Sequence, residues 1–280
     1  MINVKLGFKA FDIHELLTHF VAQRGGFYQQ QALQVGLIDT TFIPDDKLPP
    51  RTFHAACAAA LFGYVNGAPY KVVLVNTDRP MFWLYSANGV SRVAELAGKR
   101  IASYPAMAPP AQFLAALTAG IDVQLLPVAS DVARLALLKS GDADAALISS
   151  ALPPAVMAEQ GFGKSLLLGD AFRAPTTGLA VNCALLAEVP ELVSMMVNAY
   201  QQSLSAIHND DALLKQVLTE DLALPVSAVE ETVMLVRELF TVDGRSSEKI
   251  EQAAISAVAT HLGVENIPAE KLYDYSLLRL

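Results

Sequence analysis

The sequence predicts an α/β fold arranged as two lobes, and three observations carry that expectation. Short apolar runs alternate with helix-length stretches, as they do when strands are joined by crossover helices. The strand-like runs occupy the front and middle of the chain, whereas from Glu188 onward the pattern is almost entirely helical. With 280 residues, 53% of them hydrophobic and 17% charged, the chain can fill a large core and lies near the size at which cores divide. The late helices are expected to return and cover the first lobe.

Val4–Phe8 reads as the first strand, and Asp12 as the N-cap of a helix running to about Gln23, closed by Gly25–Gly26. Leu33–Ile38 is a strand. Pro49–Pro50 reads as the opening of a helix from Arg51 to Tyr64, stopped at Asn66–Gly67. Lys71–Val75 and Met81–Ser86 are strands rich in β-branched or aromatic residues. Val93–Leu96 is a short helix, Arg100–Ser103 a strand, and Pro109–Pro110 starts a helix ending at Ala119–Gly120. Val123–Val128, Ala143–Ile148, Ser165–Leu168 and Leu179–Asn182 are the remaining strands, with a helix at Asp131–Ser140 closed by Gly141. Helices then follow at about 189–208, 210–221, 225–239 and 246–262, before an extended tail.

Several function classes are excluded at this level. A net charge of −8, with no basic run longer than Lys99–Arg100, gives no surface for nucleic acid. The most apolar helical stretches, 53–62 and 132–138, are far shorter than the roughly 20 residues a bilayer span needs. No basic, apolar leader precedes the first strand, so the protein is expected outside the cytoplasmic membrane, periplasmic or lipid-anchored, if a leader was trimmed, and in the cytoplasm otherwise. The two cysteines, Cys57 and Cys183, lie in apolar settings and read as buried, unpaired thiols. His14 and His19 are about 140° apart around a helix, which does not suit a shared zinc ion. No nucleophile elbow, paired-histidine metalloprotease motif or phosphate loop is present, so no catalytic residue, metal or cofactor is expected.

Six segments share an order and spacing with a known family. They are RGGFYQQQALQVGLID (24–39), NGAPYKVVLV (66–75), VAELAGKRIASYP (93–105), LALLKSGDADAALIS (135–149), TTGLAVNCALLAEVPELV (176–193) and KLYDYSLL (271–278). Together they resemble the type 2 periplasmic solute-binding proteins of ABC importers, in the group that includes sulfonate, taurine, nitrate and thiamine-precursor binders. The resemblance covers nearly the whole chain. It implies a periplasmic-binding-protein-like fold with two crossing strands between lobes, lobe one being 1–84 plus 179–280 and lobe two 85–178. It further implies a small-molecule ligand clamped between the lobes, a membrane permease as partner, and a monomer. A cytoplasmic enzyme on the same fold, related to thiamine-pyrimidine or menaquinone-pathway enzymes, is the alternative, with His54 and Asp12 as its acid/base groups. The Cys-rich motif of the pyrimidine enzymes is missing.

Ligands of open α/β sheets sit beyond the carboxyl ends of strands, so the strand-exit loops supply the candidate residues. Phe11 could stack on a ligand, and Asp12 could accept a hydrogen bond or simply cap its helix. Arg51, Thr52 and His54 fall in the first turn of the expected proline-initiated helix, where Arg51 could grip a carboxylate or sulfonate or remain a solvated helix-start residue. Alternation places Trp83 opposite Phe82, as a cleft wall or a core filler. The loop from Tyr104 to Pro110 has no Ser or Thr, and Pro105, Pro109 and Pro110 remove donors that many relatives offer to an oxyanion. That composition favours a ligand with an apolar or aromatic body against Tyr104 and Met107. Ser149, Ser150, Thr176 and Thr177 could direct hydroxyls at it or serve ordinary turns.

Overall fold

The computed structural model describes residues 1–279. The chain forms two compact units. The first comprises Met1–Asp78, Ala174–Leu224 and the chain from Val233 onward; the second comprises Arg79–Arg173 and Pro225–Thr232. The sequence reading put the crossings near 84 and 179, and assigned all late helices to the first lobe.

Each unit is built on one five-stranded sheet. The strands of the first unit are β1 (Ile2–Phe8), β2 (Leu33–Asp39), β3 (Thr52–His54), β4 (Tyr70–Thr77) and β10 (Thr177–Asn182). Those of the second are β5 (Phe82–Ser86), β6 (Lys99–Ser103), β7 (Val123–Pro127), β8 (Ala145–Ser149) and β9 (Ser165–Leu167). The orders are β2-β1-β3-β10-β4 and β7-β6-β8-β5-β9. In both, three parallel strands are followed by one reversed strand and then a strand in the original direction. Strands covered on both faces should be apolar without alternation, and β8, Ala-Ala-Leu-Ile-Ser, is buried at every position. The same holds for Val72–Val75 in β4.

One segment departs from the sequence reading in a way that bears on function. The expected helix over 51–64 starts only at Cys57, and Thr52–His54 is instead β3, between β1 and β10. The reason is local. Leu48, preceding a proline, is held extended (φ −70°, ψ 145°), as residues before proline are. Arg51 has φ +60°, which cannot begin a right-handed helix, and Thr and Phe then favour a strand. Other boundaries differ in detail: residues 183–188 form a separate helix before Pro190–Asn209, and Val217–Asp221 is a π-type turn following Asp211–Gln216.

Gly178 shows why β10 can pair so closely with β4. Its φ is +156°, and a Cβ there would lie 2.0 Å from the Leu74 carbonyl oxygen. Only glycine permits that approach, at a register shift in the β10–β4 ladder.

Candidate functional site

In the first unit, β1, β2, β3 and β4 run in one direction, so their carboxyl ends share an edge with the start of the reversed strand β10. The loop leaving β1 is fixed by backbone N–H groups that donate to the carboxylates of Asp12 and Glu15. Asp12 caps the helix Ile13–Arg24, its Oδ1 accepting the Glu15 N–H at 2.9 Å, while Glu15 Oε2 accepts the Lys9 N–H at 2.8 Å. Capping is therefore an observed role of Asp12. Burial, reinforced by the neighbouring Asp12, pushes the Glu15 carboxyl up to about 8. Phe11, carried by this loop, packs its ring edges near Phe8 and Phe20 yet remains 54% exposed.

At the same edge, His14 Nε2 and Thr176 Oγ1 are hydrogen-bonded at 2.7 Å, tying the first helix to the start of β10. Burial lowers His14 to about 3, so its imidazole is neutral. Next to Thr176, the Thr177 hydroxyl is buried without a protein partner. On the neighbouring β4, neither side-chain amide atom of the fully buried Asn76 has one. Buried polar groups left without a hydrogen bond cost about 1–3 kcal/mol each, and Asn76 and Thr177 both lie at this carboxyl edge of the sheet.

In the second unit, the carboxyl ends of β6, β7 and β8 meet around Asp131 and Arg134. Arg134, wholly buried, donates from Nε to the Leu147 carbonyl at 2.7 Å, from Nη1 to the Val128 carbonyl at 2.7 Å and from Nη2 to Asp131 Oδ1 at 2.6 Å. Its guanidinium carbon lies 3.6 Å from the centre of the Tyr104 ring, whose edge meets Phe82. Ser149 gives its hydroxyl proton to Asp131 Oδ2 at 2.8 Å and accepts the Ala151 N–H at 3.1 Å. Ser150 is buried beside it, and Met107, in the loop after β6, is 81% exposed. Trp83 is 3% exposed on a strand buried along both faces, which is the core-filling alternative for that residue. At the end of β6, Ser103 Oγ is buried without a protein partner.

Arg51, Thr52 and His54 lie elsewhere in the first unit. They line a cavity of about 370 Å³ together with Tyr70, Asn182 and Glu188. Tyr70 and Asn182 are paired across β4 and β10 at the ends opposite Thr77 and Thr177. The cavity therefore lies toward the far end of the sheet from Asn76 and Thr177. Thr52 Oγ1 donates to the Pro49 carbonyl at 2.6 Å, and burial lowers His54 to about 4.

Sequence reading did not single out Asn76, Ser103, Asp131 or Arg134, which the structure places at the strand exits. A signal existed for Asn76, the one amide in the apolar run KVVLVNT, and for the Asp131/Arg134 pair at i,i+3. Cys57 is buried and free, and burial raises its thiol well above the ordinary value, so it is not a reactive thiolate; Cys183, also free, is half-buried. Among the described residues no three His, Cys, Asp or Glu side chains gather as a metal site, and no helix is long and apolar enough to cross a membrane.

Comparison with known proteins fits this geometry. No curated protein matches the sequence. Among solved structures, a protein from Bordetella bronchiseptica RB50 is 18% identical, with 99% of this chain and 96% of that one covered at a TM-score of 0.77. The alkanesulfonate-binding protein SsuA from Xanthomonas axonopodis pv. citri, bound to MOPS, is 16% identical over 97% and 98% of the two chains, with a TM-score of 0.73. The desulfurization enzyme DszB is 14% identical over 98% and 97%, with a TM-score of 0.70. At such identities these likenesses concern the fold, which they share with this chain along nearly its whole length. The NMT1/THI5-like family profile matches residues 14–212, from the buried histidine of the first helix into the helix Asp211–Gln216, and the chain belongs to that family.

Proposed function

We propose that the protein is the solute-binding component of an ABC-type importer. It would work outside the cytoplasmic membrane as a monomer, and hold a small organic ligand between strand-exit loops of its two units. Binding alone performs such a function, since contacts to both units favour a closed form that a permease can distinguish. The observation that carries the reading is the set of buried polar groups without protein partners at strand exits: Asn76 and Thr177 in one unit, Ser103 in the other. Phe11, Tyr104 and Met107 supply apolar and aromatic surface at the same ends. The donor-poor, proline-containing loop after β6 favours an organic body over a bare oxyanion. Arg51, Thr52 and His54 do not take part.

A thermal-shift screen across sulfonates, aromatic carboxylates, pyrimidines and flavins tests this. A ligand at 100 times its Kd adds about 2.7 kcal/mol, raising the melting temperature by roughly 5 °C or more. Nitrate or sulfate binding more tightly than every organic compound would overturn the ligand class. An enzyme on the same fold is the second reading, favoured by the likeness to DszB and by Glu15, a buried acid protonated at neutral pH beside Asp12. Chemical conversion of a bound compound, abolished in Glu15→Gln, would establish it.

A further inference from the structure

The cavity lined by Arg51 and His54 has features of a second binding site. Several of its polar groups are uncommitted. The Arg51 guanidinium makes no ion pair or hydrogen bond among the described residues, although its backbone is held at φ +60° and its carbonyl accepts the Lys5 N–H at 3.1 Å. Neither ring nitrogen of His54 has a hydrogen-bond partner; the ring only meets the Tyr70 ring edge-on, with centres 5.0 Å apart. A neutral imidazole offers one donor and one acceptor. Asn182 spends its carbonyl oxygen on the Ala184 N–H at 2.8 Å, leaving its NH₂ group for the cavity.

The charges set the class of ligand. Two carboxylates line the same cavity as Arg51. Asp45 lies within hydrogen-bonding reach of the Tyr70 hydroxyl, whereas Glu188 has no partner among the described residues. Arg51 and Glu188 thus share a cavity without neutralising each other. A simple anion would meet the carboxylates, and a simple cation would meet Arg51. A molecule carrying both charges suits both, and the apolar side chains of Leu48, Leu185 and Val189 accommodate its carbon body. Arg51, a non-glycine residue held at positive φ, stores backbone strain, and such strain gathers at binding sites.

We infer that this cavity is a site for a small zwitterion of amino-acid type, its carboxylate on Arg51 and its ammonium on Glu188. The site lies wholly within the first unit and is independent of the proposed transport ligand.

Isothermal titration of the full chain with each of the twenty standard amino acids and 6-aminohexanoate tests it. At least one is expected to bind at a Kd of millimolar or below. The N-acetyl and amide derivatives of that compound, each lacking one charge, should bind at least tenfold more weakly. Arg51→Gly is suited to the test because glycine accepts the backbone angle, so its melting temperature should not fall; Glu188→Gln is exposed and equally mild. Each should weaken the zwitterion at least tenfold. No binding by any member of the panel would overturn the inference, as would binding that both variants leave unchanged. An effect of Thr177→Val on the same titration would also overturn it, because the compound would then occupy the strand-exit edge.

Discussion

Arg134→Met is expected to destabilise the second unit by roughly 3–5 kcal/mol, the usual cost of removing one partner from a buried, hydrogen-bonded charge pair. Methionine nearly matches the length of the stem and fills irregular space, so the loss isolates the guanidinium. Without it, the Leu147 and Val128 carbonyls and the Asp131 carboxylate each lose a donor at 2.6–2.7 Å. The Tyr104 ring loses the flat cation it lies against. Asp131 also receives the Ser149 N–H at 2.9 Å, so its unbalanced charge is transmitted to the end of β8. Urea unfolding followed by circular dichroism measures the change. A loss below about 1 kcal/mol would show that the network contributes little beyond its packing.

Acid should destabilise the first unit through its buried histidines. Burial lowers His14 to about 3 and His19 to about 4, against 6.5 in an unfolded chain. Folded values below the unfolded one mean that the neutral forms are favoured by folding. Stability is then fully present above pH 6.5 and is lost as pH falls toward 4, by roughly 3 kcal/mol for each of the two. Glu15 acts in the opposite sense. Its folded value of about 8 exceeds the unfolded 4.5, so its contribution is complete below 4.5 and is lost as pH rises through 8. Together these place the stability maximum near pH 6.5. His14→Gln, which keeps a side-chain amide near Thr176, should remove about one proton's worth of slope between pH 6.5 and 4. Glu15→Gln should remove the decline between pH 6.5 and 8. Urea midpoints measured at half-unit pH steps decide this; parallel curves for wild type and both variants would refute the assignment.

Much of the fold was legible because it rests on patterns that survive tertiary context. Gly141 closes its helix in the left-handed conformation and Asp12 caps the first one, as their positions in the sequence require. The apolar runs became strands at nearly the expected bounds. The failure at 51–56 is instructive: two prolines before an alanine-rich stretch look like a helix start, and only the left-handed Arg51 with the β-forming Thr52 and Phe53 reveals a three-residue strand. The site was less legible, since hydrogen-bond satisfaction is a property of packing. Ser149 looks like an anchor in sequence, yet Asp131 takes its proton. Asn76 and Ser103 look like ordinary strand ends, yet both carry buried polar atoms without a protein partner. Arg51, Thr52 and His54, expected in one helical turn, line one cavity from a strand and the loop before it.

The most direct measurement compares the Kd of the strongest compound from the ligand screen for wild type and for Thr177→Val, by isothermal titration. Valine keeps the shape of threonine and removes only a hydroxyl that has no protein partner, so the melting temperature should hold or rise. If the strand-exit polar groups receive the ligand, affinity should fall at least tenfold, about 1.4 kcal/mol. An unchanged Kd in Thr177→Val, with Asn76→Ala and Ser103→Ala equally silent, would contradict the proposed site.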